Sequence, residues 1–239
     1  MVIQKRLIGH ATGNFHLFDL TLDEKIQQIK ELGCNCTEFT FATKEDLDQA
    51  LLSLDSSEFI KTLDYVSVHA PFRFEYGKND ETYTLLNKLF YFSELVQASH
   101  ITIHHNLIQD DWVVDKLLNS GIKTSFENLK KGNPYTMSDY FQILKQNPGV
   151  GLVFDAGHAL TYSENYLKEF LTKLKPTNKL DQFHISDCYG GKPHRPIKNP
   201  NFLNHLKEFD VPFIIESKYS PDEKDVLKKD LDIVRMYLS

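Results

Sequence analysis

A chain of 239 residues with a formal net charge of −6 can bury one large core, and its acidic balance excludes the global basic field on which nonspecific duplex binding depends. Its three cysteines, Cys34, Cys36 and Cys188, form no even disulfide framework, and Cys34 and Cys36 stand too close in sequence to bridge each other. Residues 1–9 lack the apolar core of a signal peptide and no apolar run approaches about 18 residues, so a soluble chain in a reducing cytoplasm, away from membranes, is expected.

Taken in order, the hydrophobic periodicity alternates between strand and helix. Arg6 to Gly9 reads as a strand, followed by a glycine-containing loop from Ala11 to Asn14. Thr21 caps a helix to about Leu32, with Leu22, Ile26 and Ile29 at helical spacing and Gly33 as the stop. Further strands are expected at Thr37 to Phe41, Tyr65 to His69, Ile101 to His104, Lys123 to Glu127, Gly151 to Asp155, Gln182 to Ser186 and Phe213 to Glu216. Between and after them, helices are expected at Lys44 to Leu54, Thr82 to Ala98, Asp110 to Asn119, Met137 to Gln146, Ser163 to Leu174, Asn201 to Glu208 and Asp222 to Tyr237. Strict alternation without a linker predicts one domain over residues 1–239, and eight such units favour a closed (β/α)8 TIM barrel over an open doubly wound sheet. No G-x-G-x-x-G turn follows the first strand, which counts against a dinucleotide fold.

Side chains alternate across a strand, so parity sorts inward from outward positions. His69, His104, Glu127, Asp155, His184 and Glu216 all fall inward at strand ends, and Glu38 shares that parity. Glu127, Asp155, His184 and Glu216 end four successive strands, which puts three carboxylates into one small mouth. Unpaired buried carboxylates are costly, and the cations in reach are Lys123, one layer deeper, and Lys218, just past the last strand. A divalent metal accounts for them better. Each residue alone has a structural reading as well: Asp155 as a helix cap, His69 as a hydrogen-bonded core histidine, His105 as an outward neighbour of His104. His10, just after the first strand, reads as a substrate contact or a polar loop residue. The loop D-C-Y-G-G-K-P-H-R-P-I-K, Asp187 to Lys198, brings Lys192, Arg195 and Lys198 to where barrels often bind phosphate, or is simply a solvated basic loop. Phe72, Phe74 and Tyr76 would form a lid, stack on a sugar, or pack the barrel top.

The motifs S-V-H-A-P-F at His69, I-T-I-H-H at His104, S-F-E-N at Glu127, F-D-A-G-H at Asp155 and His158, F-H-I-S-D at His184, K-P-H-R-P-I at His194 and I-I-E-S at Glu216 make the chain similar to the xylose-isomerase-like TIM barrel superfamily. That superfamily contains sugar isomerases and epimerases together with the endonuclease IV group. The isomerase resemblance implies one metal site of Glu127, Asp155, His184 and Glu216, holding zinc, manganese or magnesium, with Glu127 and Glu216 as the acid/base pair around an enediolate. The endonuclease IV resemblance implies a first zinc on His69, His104 and Glu127, a second on Glu127, Asp155, His184 and Glu216, and a third on His158, His194 and an aspartate two residues before His194. Lys192 stands at that last position, a departure that counts against a third ion. The leading expectation is therefore a metal-dependent isomerase or epimerase of a small sugar or sugar phosphate, with one or two divalent ions per chain. The alternative is a zinc phosphodiesterase acting on abasic DNA, the one reading that needs nucleic acid as a partner. A metal- or sugar-binding barrel without turnover is the third. His158, His194, Lys192, Arg195, His10 and Glu38 are expected in the third site or against substrate, and no helix face marks an oligomer interface.

Overall fold

A computed structural model describes residues 6–239. Eight strands form a closed parallel barrel: β1 (Ile8–Ala11), β2 (Cys36–Thr40), β3 (Tyr65–His69), β4 (His100–Ile103), β5 (Lys123–Glu127), β6 (Val150–Asp155), β7 (Leu180–Ile185) and β10 (Phe213–Ile215), which closes onto β1. Between β7 and β10 an antiparallel hairpin of β8 (Asp187–Tyr189) and β9 (Lys192–Arg195) rises from the C-terminal end of the barrel. Helices α1 (Leu22–Glu31), α2 (Lys44–Asp48), α3 (Leu54–Ile60), α4 (Asp80–Leu95), α5 (Asp111–Leu118), α6 (Met137–Gln146), α7 (Ala156–Leu160), α8 (Glu164–Leu174) and α9 (Lys224–Leu238) complete the fold. This is the (β/α)8 barrel the alternation predicts. No helix among the described residues is long and apolar enough to cross a membrane.

Local sequence accounts for the helix starts. Thr21 and Thr136 each close a capping box, with Glu24 and Asp139, and satisfy the free amides of α1 and α6. The outward strand residues, among them Phe39, Val68, Ile101, Phe126, Phe154, Phe183 and Phe213, are buried in one continuous core beneath the helices. Inside the barrel the apolar content is small, Ala11, Cys36 and Ile214 with Leu7 and Tyr65 alongside. The rest of the lumen is polar, with Glu38, Ser67, Thr102, Ser125 and Gln182 all buried, unlike the branched apolar layers usual in such barrels.

Several boundaries differ from the sequence reading. The first strand begins two residues later than Arg6. The helix expected over Lys44 to Leu54 divides into α2 and α3, because Ser53 caps a new helix with its hydroxyl on Ser56 N (3.2 Å) while its own amide binds Asp23 (2.9 Å). The helix expected at Asn201 to Glu208 is a 3-10 turn, Pro200–His205. The β8–β9 hairpin stands where a loop is expected, and α7 bears out the helix-cap reading of Asp155 over a stretch given no element of its own. Asp155 ends β6 and caps α7 at once, accepting from His158 N at 2.6 Å.

Candidate metal centre

The C-terminal ends of β3, β5, β6, β7 and β10 converge on Glu127, which is 1% exposed. Its Oε2 stands 3.0 Å from His69 Nε2 and 3.0 Å from His104 Nε2. Its Oε1 lies 3.4 Å from His184 Nδ1 and 3.4 Å from His158 Nδ1. Glu216 Oε2 is 3.0 Å from His184 Nδ1 and 3.9 Å from His194 Nδ1, and Asp155 Oδ2 is 3.6 Å from His158 Nδ1 and 3.9 Å from His194 Nδ1.

Burial opposes the charge on Glu127, yet His184 and His104 hold its carboxyl well below the usual range. Glu216 is likewise lowered against its burial, chiefly by His184, while burial raises Asp155. Burial pulls the histidines down, but Glu127 brings His69 up to about 9 and Asp155 brings His158 up to about 9. His184, between Glu38 and Glu216, is raised well above its ordinary value despite burial, and His104 is lowered by burial.

These residues form three overlapping donor groups, within each of which the ligand atoms lie within 4.8 Å of one another: His69, His104 and Glu127; Glu127, Asp155, His184 and Glu216; and Asp155, His158 and His194. The fit to a cation shows in the atoms left over. Asp155 Oδ2, His184 Nδ1 and Glu216 Oε2 are buried without a hydrogen-bond partner, although they face one another across the mouth. A carboxylate and an imidazole that meet without an aligned proton leave their lone pairs for a Lewis acid. His158 and His194 add to this. Nδ1 of His158 donates to Asn128 O (2.8 Å) and Nδ1 of His194 to Glu216 O (3.2 Å), so their Nε2 atoms, 3.0 Å apart, need a proton or a cation between them. The mixed nitrogen and oxygen set could hold a divalent metal ion.

Every strand-end residue expected as a ligand therefore reaches the cluster, and His158 and His194 join it with Asp155 as their acid. Lys192 is exposed on β9 and does not enter, so the third group has no carboxylate of its own and shares Asp155 with the second. Arg195 is half-buried with its guanidinium 5.7 Å from the Tyr189 ring, and Lys198 stacks on the same ring at 4.3 Å. Two expected site residues lie elsewhere. His10 points outward beneath α9, bonded to Leu227 O at 3.1 Å and to Asn14 Nδ2 at 2.8 Å, so it touches neither metal nor substrate. Glu38 points inward but one layer below the mouth, 2.9 Å from His184 Nε2, and is neither a third-site ligand nor a substrate contact. Burial opposes its charge, but His184 brings its carboxyl down to about 2. His105 packs outward on Phe126 and Tyr135.

Sequence reasoning missed Asn128, whose amide nitrogen donates to Asp155 O (2.9 Å) and whose oxygen accepts from Asp155 N (2.7 Å), clamping the end of β6. Its position directly after Glu127 in S-F-E-N was the available signal. Gly157 of D-A-G-H was also passed over: a Cβ there would stand 2.1 Å from Ser186 Oγ and 3.2 Å from Asp155 Oδ1.

No protein-family model matches the chain, and no curated protein sequence matches it. Solved structures do match. A D-allulose 3-epimerase from Methylomonas sp. is 17% identical with a TM-score of 0.70, covering 100% of each chain. Endonuclease IV from Thermus thermophilus is 15% identical with a TM-score of 0.70, covering 98% of this chain and 99% of its own. A sugar phosphate isomerase/epimerase from Parabacteroides distasonis is 14% identical with a TM-score of 0.66, covering 100% of this chain and 98% of its own. At these identities the likeness establishes the (β/α)8 barrel fold alone, and both epimerases and an endonuclease stand among the structures that share it.

Proposed function

We propose that this chain is a metal-dependent hydrolase of phosphate esters, built on two divalent ions that share Glu127. One observation carries the reading: the two oxygens of Glu127 face opposite ligand groups, Oε2 toward His69 and His104 at 3.0 Å, Oε1 toward His184 at 3.4 Å. A single-ion isomerase does not require the first pair as ligands, though it could use them to bind substrate. When bound, such ions would supply Lewis-acid polarisation and charge neutralisation at a phosphoryl group.

The chain's own residues would bind and enclose an anion. Arg73, Lys198 and Lys218 stand on loops at the C-terminal end of the barrel and Lys192 and Arg195 on β9, and none of the five is ion-paired among the described residues. Elsewhere on the surface some lysines are paired, Lys44 with Glu81, Lys88 with Asp48 and Lys123 with Asp181, and others on the helices, such as Lys30, Lys116 and Lys145, are not. Besides its burial, the charges of Lys218 and Arg73 help hold His16 below its ordinary value. Phe72, 5.8 Å from the His69 ring and 6.2 Å from the His104 ring, would keep water off that side.

A second reading, a one-ion isomerase or epimerase of a sugar or sugar phosphate, draws on Glu127 and Glu216 flanking His184 Nδ1 at 3.4 and 3.0 Å. The two glutamates would then move a proton between adjacent carbons. Elemental analysis of protein purified without chelator, beside a His69→Ala/His104→Ala variant, separates the readings. Two or more ions per chain with one lost in the variant, together with chelator-sensitive cleavage of an abasic duplex or a simple phosphodiester, is expected. One ion, unchanged in the variant, would transfer the assignment to isomerisation.

A further inference from the structure

Beneath the metal centre the lumen holds a polar layer that no reaction step above uses. Glu38 is fully buried in it, and its Oε2 gathers three partners, Gln182 Nε2 at 2.8 Å, Ser67 Oγ at 3.0 Å and Thr102 Oγ1 at 3.1 Å. Its Oε1 has no hydrogen-bond partner among the described residues and stands 2.9 Å from His184 Nε2. A carboxylate pinned by one oxygen from three strands has little freedom to turn the other away.

The pinning continues toward the opposite end of the barrel. The Thr102 hydroxyl gives its proton to Glu38, so it can accept from His100 Nε2, 3.2 Å away, and His100 Nδ1 accepts from the Tyr65 hydroxyl. Each donor in that series points toward Glu38.

His184 Nε2 has two neighbours with opposite demands. Glu38 Oε1, a carboxylate oxygen 2.9 Å away, can only take a proton from it, whereas Gln182 Nε2, also 2.9 Å away, can only offer one. Only the first arrangement leaves Nδ1 with a free lone pair facing Glu216 and Glu127. We infer that Glu38 is a positioning residue which keeps the His184 proton on Nε2 and so presents Nδ1 to the metal centre. The inference rests on the metal-centre reading but not on which reaction the centre performs.

Cobalt(II) titration of the full-length protein tests it, read by visible absorption, by chelator competition and by metal content, on wild type, Glu38→Gln and Glu38→Asp, with circular dichroism for folding. The amide of Glu38→Gln can offer a proton to Nε2 instead of taking one. Affinity at the Asp155, His184 and Glu216 site is expected to fall about 10- to 100-fold, with an altered cobalt spectrum, while the His69 and His104 site keeps its affinity; Glu38→Asp recovers part of the loss. A folded Glu38→Gln with wild-type affinity and spectrum would overturn the inference alone, and a wild type that binds no metal would overturn the metal centre with it. Should the variant not fold, nitrogen-15 NMR of the zinc-loaded wild type decides: a proton on His184 Nε2 supports the inference, and a proton on Nδ1 sinks it.

Discussion

His69 Nε2 stands 3.0 Å from Glu127 Oε2 while the opposite nitrogen of the same ring, Nδ1, already donates to the carbonyl of Ala70 at 2.8 Å. The nitrogen facing the carboxylate therefore needs a second proton or a metal ion. Both ligand groups depend on Glu127, so Glu127→Gln should cost at least one bound ion per chain. Activity should fall by several kcal/mol of transition-state stabilisation, on the order of a thousandfold. Metal analysis and turnover on the same preparation check this; a variant with full metal content and full rate would remove Glu127 from the centre.

At the seam between β1 and β2, a Cβ on Gly9 would lie 1.8 Å from the carbonyl oxygen of Cys36. Backbone on a closed barrel cannot give way as a side chain can. Gly9→Ala should therefore destabilise by on the order of 3 kcal/mol or prevent folding. Gly33→Ala is the matched control: its φ is +67° with nothing within 4 Å of the added carbon, so about 1 kcal/mol of backbone strain is expected. Urea denaturation of both variants compares the two, and equal losses would mean that the seam is looser than its register implies.

His10 makes a pH-dependent contribution to stability. Its Nε2 donates to Leu227 O and its Nδ1 accepts from Asn14, so a second proton would meet a donor, and burial lowers its pKa from 6.5 to about 4. The unfolded chain takes up this proton below 6.5 and the folded chain only below about 4. The stabilisation is thus complete above pH 6.5 and lost as pH falls to about 4, on the order of 3 kcal/mol. Denaturation at pH 7.5 and pH 4.5 should show wild type losing more than His10→Gln; identical losses would contradict the buried neutral ring.

Parity along single strands was legible in the sequence, and it put Glu127, Asp155, His184 and Glu216 on one face because each ends an apolar run. Depth was not legible, since it depends on the stagger between strands. Thr40, not Glu38, pairs with His69, and Glu38 pairs with Ser67, which lowers Glu38 by one layer and turns it from a mouth residue into a support for His184. His10 was misread for a related reason: with β1 at Ile8–Ala11, the inward positions are Gly9 and Ala11. The hairpin carried its signal in Gly190 and Gly191, whose φ values are +63° and +69°, but His194 at +55° is held by contacts far away in sequence. Its carbonyl accepts from Lys218 N at 2.9 Å and its ring binds Glu216 O, neither of which a local pattern reveals.

Proton release on metal loading separates the two functional readings without any substrate. In the metal-free protein His69 and His158 keep their second proton up to about 9, and His184 keeps its own well above the ordinary histidine range. His104, lowered by burial, has none to lose at neutral pH. A coordinating imidazole must give up the proton on the ligating nitrogen, so binding at pH 7.5 expels one proton for each raised histidine that becomes a ligand. A lone ion on Glu127, Asp155, His184 and Glu216 would release about one, from His184. Ions on both sides of Glu127 would release about two, and a third on His158 and His194 would add another. Apparent affinity should therefore weaken as pH falls from about 9, and more steeply for the shared centre. Calorimetric titrations with zinc in two buffers of different ionisation enthalpy count the protons. Two or more, with about one lost in His69→Ala, is the result expected of a centre bridged by Glu127; a count of one that survives the substitution would leave His69 outside it and favour the isomerase.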